Sequence, residues 1–266
     1  MNSIDFEDWY RAFQHISIES CFVPFNNGFL EYLLSDGIHL PLEYKVESQF
    51  DLKDLEEMDR KLGNLLKRWK SVFVKVGKSC ANDSVWITWN NTLECRMQSD
   101  IYMLLKASDR IALEIPRAKG LIVKKWKPVE LSSEFRCFVY YGRLVGISQR
   151  HLNQMFPYLQ NEKQDLMEKL EDFFYDKVCD KFHSEFSYVF DVALDADSIV
   201  IIDFDEWNEN ETSSLLFEWN ELQIPRVLEI RIIEKEEDVV LGVSNQNRLP
   251  CDFASYEELA KHAQNS

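Results

Sequence analysis

One stretch of the chain, Glu134–Arg150, constrains the fold more than any other because its residues alternate between two faces. In its first half, Phe135, Cys137 and Val139 alternate with Glu134, Arg136 and Phe138. A period of two is typical of a β-strand whose two faces differ. Residues 140–142 are predicted to form a turn, and Arg143–Gln149 to return as a second strand. The stretch therefore predicts a β-hairpin.

The length of the turn decides which side chains of this hairpin share a face. A three-residue loop commonly ends at positive φ, which suits Gly142, and it would pair Arg136 with Gly146. Arg136 and Arg150 would then share a face, whereas a two-residue turn would place them on opposite faces. Two guanidiniums beside Glu134 can hold a polyanion such as a triphosphate. The alternative is an ordinary hairpin with exposed arginines.

Composition bounds the class of protein. The chain has 266 residues, 45% of them hydrophobic, which allows one large domain or two smaller lobes with a sizeable core. Its formal net charge of −16 argues against a nucleic-acid binder, which needs a basic surface. The same charge argues against docking on an anionic membrane. We therefore expect neither nucleic acid nor membrane among the partners.

The cysteines and the N-terminus indicate a location. None of the six cysteines forms a C-x-x-C pair, and scattered cysteines suit a reducing compartment. The opening MNSIDFEDWYRAF is acidic and amphipathic, unlike a secretory or transit peptide. No apolar run approaches the ~20 residues of a membrane helix. We expect a cytoplasmic protein.

Two predicted strands carry lysines. Lys75 lies in the apolar strand Ser71–Val76, where it either points to water from an edge strand or contacts a phosphate. The Gly77-Lys78-Ser79 triplet after it is no P-loop, because the glycine needed five residues earlier is replaced by Val72. The second strand, Gly120–Trp126, changes character at its end, where Lys124, Lys125, Trp126 and Lys127 follow one another.

A second predicted hairpin carries carboxylates. With a three-residue tip at 196–198, Asp191, Asp203 and Asp205 share one face, whereas a four-residue tip would turn Asp191 away. Three clustered carboxylates repel one another unless a cation compensates, and oxygen ligands suit Mg²⁺ together with nucleotide phosphates. The alternative is that these are solvated strand residues. An aspartate that ends an apolar strand favours the metal interpretation.

The remaining elements complete an α+β class. Helices are predicted at 5–13, 28–34, 51–69, 100–106, 161–182, 215–222 and from about Tyr256, and further strands at 16–25 and 86–89. The order of lysine strands, arginine hairpin and aspartate hairpin is similar to that of an ATP-grasp site. There, two lobes of antiparallel sheet and helices hold the nucleotide between them. We predict lobes at 1–126 and 127–266.

Longer stretches resemble the cell division cycle protein 123 family. They are DGIHLP at 36–41, FVKVGKSCANDSVWITWNNTLECRMQSDIYMLLKASD at 73–109, EFRCFVYYGRLVGISQR at 134–150, VFDV at 189–192, IIDFDEW at 201–207, SSLLFEWNEL at 213–222 and NRLPCDF at 247–253. They cover most of the chain in the family's order. The resemblance implies an ATP-grasp fold.

The resemblance also implies a function and a site. Members of the family assist assembly of heterotrimeric translation initiation factor 2 by binding its gamma subunit so that the alpha subunit can join, and they bind ATP and Mg²⁺. Matched by motif, Lys75, Lys124, Trp126 and Arg136 would line ATP, with Gly77, Lys125, Glu134 and Arg150 as further candidates. Asp191, Asp203 and Asp205 would hold Mg²⁺.

This chain departs from the family pattern within the predicted metal site, and the sequence leaves one alternative function open. Relatives usually read D-F-N where this chain has Asp203-Phe204-Asp205, which adds a negative charge to the site. The alternative to an assembly chaperone is an ATP-grasp ligase that activates a carboxylate as an acyl-phosphate. No acceptor pocket is identified in the sequence. The chain is expected to act as a monomer.

Overall fold

The computed structural model describes residues 4–38, 40, 52–183, 185–195, 198–224 and 227–240. The helix predicted from about Tyr256 lies outside these residues. Helices are α1 Phe6–Phe13, α2 Asn27–Leu34, α3 Leu52–Trp69, α4 Gln98–Ala107, α5 Asp109–Glu114, α6 Leu159–Phe173 and α7 Trp219–Leu222. Strands are β1 Ser20–Pro24, β2 Val72–Val76, β3 Ser79–Cys80, β4 Gly120–Lys125, β5 Glu134–Tyr140, β6 Arg143–Gln149, β7 Tyr188–Asp195, β8 Ser198–Glu206 and β9 Glu229–Arg231.

The chain divides into two compact units. The lysine unit is Ile18–Pro128, and the hairpin unit comprises the described residues of 1–17 and 129–266. The sequence predicts a single boundary between the two lobes, between residues 126 and 127. In the structure residues 4–17 group with the described residues from 129 onward.

The lysine unit is built on an antiparallel four-stranded sheet of order β1-β4-β2-β3. One face of this sheet, which includes Val72, Val74 and Val76, is buried in a core shared with the four helices of the unit. Helix α3 contributes an apolar stripe at helical spacing, in which Met58 and Leu62 are fully buried. The stripe explains why this polar-rich segment folds as a helix against the sheet.

The hairpin unit is built on a five-stranded sheet of order β8-β7-β5-β6-β9. Strand β9 joins β6 in parallel, so this sheet is mixed rather than wholly antiparallel as predicted. One face packs on α1 and α6 through an aromatic core, in which Trp9 and Phe13 of α1 contact Phe204 of β8. The segment 207–222 contributes Phe217 and Leu222 to an apolar cluster on the other face.

Two local predictions are wrong. Residues 86–89 are not a strand, because Trp86 belongs to the 3₁₀ helix Asn82–Ile87. Thr88 lies at the end of this helix, where its hydroxyl donates to the Val85 carbonyl at 2.7 Å and accepts from Thr92 N. Such local hydrogen bonds between a polar side chain and the backbone form in place of strand pairing. The helix predicted at 215–222 begins only at Trp219. Among the described helices, none is long and apolar enough to cross a membrane.

Candidate functional site

The β5–β6 hairpin turns on two residues rather than three. Tyr140 pairs with Arg143, and the residues between them, Tyr141 and Gly142, have φ of +46° and +73°. Positive φ at both positions is the signature of a type I′ turn, whose twist matches that of paired strands. The predicted three-residue loop is therefore wrong.

A β-bulge in β6 nevertheless restores the predicted face. Val139 pairs with Leu144 and Phe138 with Gly146, so Val145 is the extra residue. Beyond the bulge Arg136 pairs with Ser148, and the Arg150 amide donates to the Glu134 carbonyl at 3.0 Å. Arg136 and Arg150 thus share a face, as predicted, but Arg136 is opposite Ser148 and not Gly146.

The aspartate hairpin uses the same device. Asp195 pairs with Ser198, which leaves two residues at the tip instead of the predicted three. Asp191 pairs with Asp203 while Val192 pairs with Ile201, so Ile202 is the extra residue of a bulge. Because residues two apart on a strand share a face, Asp191, Asp203 and Asp205 lie on one face, as predicted.

The two hairpins meet to form a row of polar residues across four strands, here called the charged row. Asp203 pairs with Asp191, Asp191 with Arg136, and Arg136 with Ser148. All four are buried, and the Arg136 side chain is 0% exposed. A fully buried arginine is rare unless it is paired, so its partners decide what it does.

Arg136 is bonded by carboxylates of its own chain. Its Nε donates to Asp191 Oδ1 at 2.7 Å and its Nη2 to Asp191 Oδ2 at 2.8 Å, a bidentate fork. Nη2 also donates to Asp205 Oδ2 at 3.0 Å, and Nη1 to the Ser213 carbonyl at 3.0 Å. The residue predicted to contact a phosphate therefore joins two of the predicted metal ligands and holds the segment 207–222.

Arg150 adds a second cation to this face. Its Nε lies 3.4 Å from Asp191 Oδ2. Three aspartates and two arginines give the group a formal charge of −1. On the opposite, core face of β5, burial raises the pKa of the Cys137 thiol well above its usual value, an effect that the Asp191 carboxylate strengthens and Arg136 opposes.

Glu134 has a neighbour, His151, that the sequence analysis did not single out. Its Oε2 lies 3.1 Å from Nε2 of the buried His151. A lone histidine just past a strand has no pattern that predicts such a contact. Glu134 itself remains partly exposed at the end of the shared face.

The aspartates carry the oxygen donors that Mg²⁺ prefers, and in this arrangement two of them contact Arg136. Within the described ranges, no group of three or more His, Cys, Asp or Glu residues is arranged to hold a metal ion. The donor atoms are thus of the type that suits Mg²⁺, but their arrangement, with Arg136 bonded to two of the carboxylates, is not that of a metal site. An ion bound here would need further oxygen ligands, such as those of a phosphate.

In the lysine unit, Lys75 and Lys124 share one sheet face. Lys75 pairs with Ile122 and Phe73 with Lys124, so the two lysines are diagonal neighbours on adjacent strands. Both are buried, at 3% and 2% exposure. Strand β2 lies between β4 and β3, so the interpretation of Lys75 as an edge-strand lysine pointing to water is wrong.

The other candidates of this unit are placed differently. Lys125 points to the face opposite Lys124, and its Nζ lies 3.8 Å from Glu19 Oε2. The backbone amide of Trp126, a residue predicted to line ATP, donates to the Ser71 carbonyl at 3.0 Å. Gly77 has a φ of +53° at the first of the two turn residues between β2 and β3, the position that takes glycine in a type II′ turn.

These features define a class of protein. The protein belongs to the class of α+β proteins that consist of two units, each built on one sheet. One unit has two buried lysines on a sheet face, and the other unit has a buried row of arginine and aspartates. The lysines belong to Ile18–Pro128, and the row belongs to the hairpin unit.

Comparison with known proteins identifies the family. The sequence pattern of the D123 family matches residues 44–257, most of the chain. The chain belongs to this family.

Individual relatives agree. A Xenopus tropicalis protein named translation initiation factor eIF2 assembly protein is 30% identical over 87% of this chain and 80% of its own length. Cell division cycle protein 123 of Yarrowia lipolytica is 28% identical over 94% and 77%. The structure of Cdc123 from Schizosaccharomyces pombe superposes with a TM-score of 0.73 at 28% identity, covering 87% of this chain and 96% of that one. This likeness confirms the α+β fold class, ATP-grasp-like by the resemblance described above.

Proposed function

We propose that this protein acts in the assembly of translation initiation factor eIF2. The observation that carries the proposal is the similarity, along almost the whole chain, to relatives named for that role. The agreement extends to the fold of Cdc123 rather than to one short motif. The family resemblance gives the finer form: the protein binds the gamma subunit so that the alpha subunit can join, and it does so with ATP and Mg²⁺ bound.

The lysine face supports the nucleotide part of this proposal. Lys75 and Lys124 are buried on one face of a sheet whose other face is the core of the unit. A lysine ammonium is a compact point charge with three donors, and phosphate oxygens are suitable acceptors for it. Mg²⁺ would arrive with ATP, and the aspartates predicted as its ligands, Asp191, Asp203 and Asp205, would supply the protein oxygens.

Partner binding is tested with the purified gamma subunit of eIF2. We expect the immobilised gamma subunit to retain this protein, and retention to increase when ATP and Mg²⁺ are present. The separate alpha subunit serves as the control, and it should retain none. Absence of binding to the gamma subunit under both conditions would contradict the proposal.

Assembly itself is tested by mixing separately purified eIF2 subunits and following the appearance of the heterotrimer by size-exclusion chromatography. Addition of this protein should increase the fraction of alpha subunit that joins. An unchanged yield at saturating protein would show that binding, if present, does not serve assembly.

Nucleotide binding is tested by titration of ATP with Mg²⁺ into paired lysine variants. Lys124→Met keeps the length of the side chain but removes the charge from the shared face, and we expect a loss of ATP affinity of about tenfold or more, as for the loss of one charged hydrogen bond. Lys125→Met removes the neighbouring charge from the opposite face and should change affinity less than about twofold. Equal losses in both variants would remove the lysine face from the proposal.

Turnover separates a chaperone from a ligase. The protein is incubated with ATP, Mg²⁺ and the eIF2 subunits, and released ADP and AMP are measured. We expect no release that depends on an added carboxylate or amine acceptor. Acceptor-dependent release would instead identify a ligase that forms an acyl-phosphate.

A further inference from the structure

The most informative feature outside the assembly proposal is the position of Arg136 among the aspartates. We infer that Arg136 is the resident counter-ion of the charged row: it supplies the positive charge that would otherwise come from a metal ion, and it positions Asp191 and Asp205. The inference concerns the protein without nucleotide, and it stands or falls independently of ATP binding and of eIF2.

The contacts give the first reason. The Arg136 guanidinium reaches both oxygens of Asp191, at 2.7 and 2.8 Å, and one oxygen of Asp205, at 3.0 Å. These are distances of charge-assisted hydrogen bonds. A divalent cation bound by Asp191 and Asp205 would have to displace the Arg136 guanidinium from these carboxylates or share their oxygens with it.

Burial gives the second reason. The side chains of Arg136 and Asp191 are 0% and 4% exposed, and that of Asp205 is 10% exposed. Ionised carboxylates this deeply buried need a compensating charge within bonding distance. Arg136 provides it for two of them at once, and Arg150 approaches Asp191 from a second side at 3.4 Å.

Arg231 offers a matched comparison in the same sheet. Its Nη1 donates to the Leu216 carbonyl at 3.0 Å and its guanidinium lies 4.2 Å from the Phe217 ring, so it also holds the segment 207–222. Its carboxylate partners are Glu221 and Glu229, which lie outside the charged row. Removing Arg231 therefore loosens the segment but leaves the aspartates compensated.

The experiment measures thermal unfolding without nucleotide, with and without Mn²⁺ or Mg²⁺, for the wild type, Arg136→Met and Arg231→Met. Both variants should unfold at a lower temperature. Mn²⁺ should raise the Tm of Arg136→Met by about 4 °C or more, because the carboxylates that lose the guanidinium then offer hard oxygen ligands. The wild type and Arg231→Met should shift by less than about 1 °C.

Further variants locate the ion and keep the test decisive. Adding Asp203→Asn to Arg136→Met should abolish the response to Mn²⁺, because one of the three carboxylates is lost. If Arg136→Met does not fold, Arg136→Lys replaces it: a point charge cannot form the bidentate fork, so a smaller response to Mn²⁺ is expected.

Two results would overturn the inference. One is a wild type stabilised by Mn²⁺ alone as strongly as Arg136→Met, since the metal would then bind beside the arginine. The other is a folded Arg136→Met, or a folded Arg136→Lys in its place, that gains nothing from Mn²⁺ or Mg²⁺, since the aspartates would then need no cation in the place of the guanidinium.

Discussion

At the scale of single residues, the charged row shows how much a side chain's role depends on partners distant in sequence. The order of motifs led to the prediction that Arg136 contacts a phosphate. Its partners Asp191 and Asp205 lie 55 and 69 residues further along the chain. The periodicity of the sequence does not indicate which of several carboxylates will pair with a given arginine.

The balance of the row leads to a prediction for Asp191. In Asp191→Asn, the amide keeps the shape of the carboxylate but presents an NH₂ group to the Arg136 donors. Arg136 then loses the bidentate fork with residue 191 while it keeps the contact with Asp205, so the free energy of unfolding should fall by roughly 3 kcal/mol, the lower end for breaking one half of a buried ion pair.

Urea unfolding measures this loss. The control is Asp172→Asn on the exposed surface of α6, which should change the free energy of unfolding by less than about 0.5 kcal/mol. A loss for Asp191→Asn as small as the control's would mean that the bidentate pair contributes little to the fold.

Residues with strong local patterns were predictable, and residues whose setting depends on other strands were not. The alternation of Phe135, Cys137 and Val139 correctly predicted that these residues share a face, which the structure shows to be buried in the core. The place of Lys75 in an inner strand was not predictable from its local sequence, because β2 lies between β4 and β3. That order depends on pairings between segments up to about 50 residues apart.

At the scale of elements, two β-bulges place the charged residues on the predicted faces, although both predicted turn lengths are wrong. Each hairpin has a two-residue connection, which alone would have turned the charged residues to opposite faces. A single extra residue, Val145 in one hairpin and Ile202 in the other, shifts the register back. Ile202 is of the same type as the apolar residues before it, so the sequence carries no signal for its bulge. The isolated Gly146 beside Val145, in contrast, is a signal for a bulge that the prediction did not use.

The β5–β6 turn leads to a prediction for Tyr141. Its φ of +46° is strained for a bulky residue, whereas asparagine adopts this region readily and precedes glycine in favoured type I′ turns. Tyr141→Asn should therefore raise the free energy of unfolding by about 0.5–1 kcal/mol, even though it loses an edge contact with the Tyr140 ring at 4.6 Å.

Tyr141→Ala is the matched comparison. It loses the same ring contact but gains none of asparagine's preference for positive φ, so it should be less stable than Tyr141→Asn in urea unfolding. If the two variants are equally stable, the backbone conformation of this turn contributes nothing to stability.

The contact between β6 and α7 leads to a prediction for Gly146. A Cβ atom at this position would lie 2.8 Å from Leu222 Cδ2 and 3.1 Å from the Phe217 ring. Gly146→Ala should therefore lower the free energy of unfolding by about 1–3 kcal/mol through overpacking. The double variant Gly146→Ala with Leu222→Ala makes room for the methyl group, so the two losses should be less than additive in a double-mutant cycle. Additive losses would mean that Leu222 does not limit the space at residue 146.

At the scale of the whole molecule, charge is unevenly divided. Residues 18–128 contain 17 Lys and Arg against 15 Asp and Glu, whereas the rest of the chain contains 13 against 31. Residues 18–128 thus carry a formal charge of +2 and the rest of the chain −18, so the hairpin unit's part of the sequence more than accounts for the net charge of −16. The total charge of the chain does not indicate that two lysines are buried in one unit and an arginine in the other, because burial depends on the fold.

The two units also differ in how the chain builds them. The hairpin unit needs the N-terminal helix, because Trp9 and Phe13 lie 5.2 and 5.1 Å from Phe204 in ring-centroid distance. A helix at the start of the chain that packs against a strand near residue 200 is not visible in local periodicity. The lysine unit, in contrast, is one continuous segment.

This difference predicts that the fragment Ile18–Pro128 folds alone. Its core extends from Val23 to Val123, and all of the described residues of that core belong to the fragment. A segment of this length lies within the usual size of an independent domain. It should therefore unfold cooperatively in urea and give a dispersed amide NMR spectrum. The matched fragment that begins at residue 129 lacks Trp9 and Phe13, which leaves the Phe204 ring uncovered, and it should unfold at a lower urea concentration than the same unit within the full chain. An Ile18–Pro128 fragment with a collapsed amide spectrum would contradict the prediction, because its core would then depend on contacts from outside the segment.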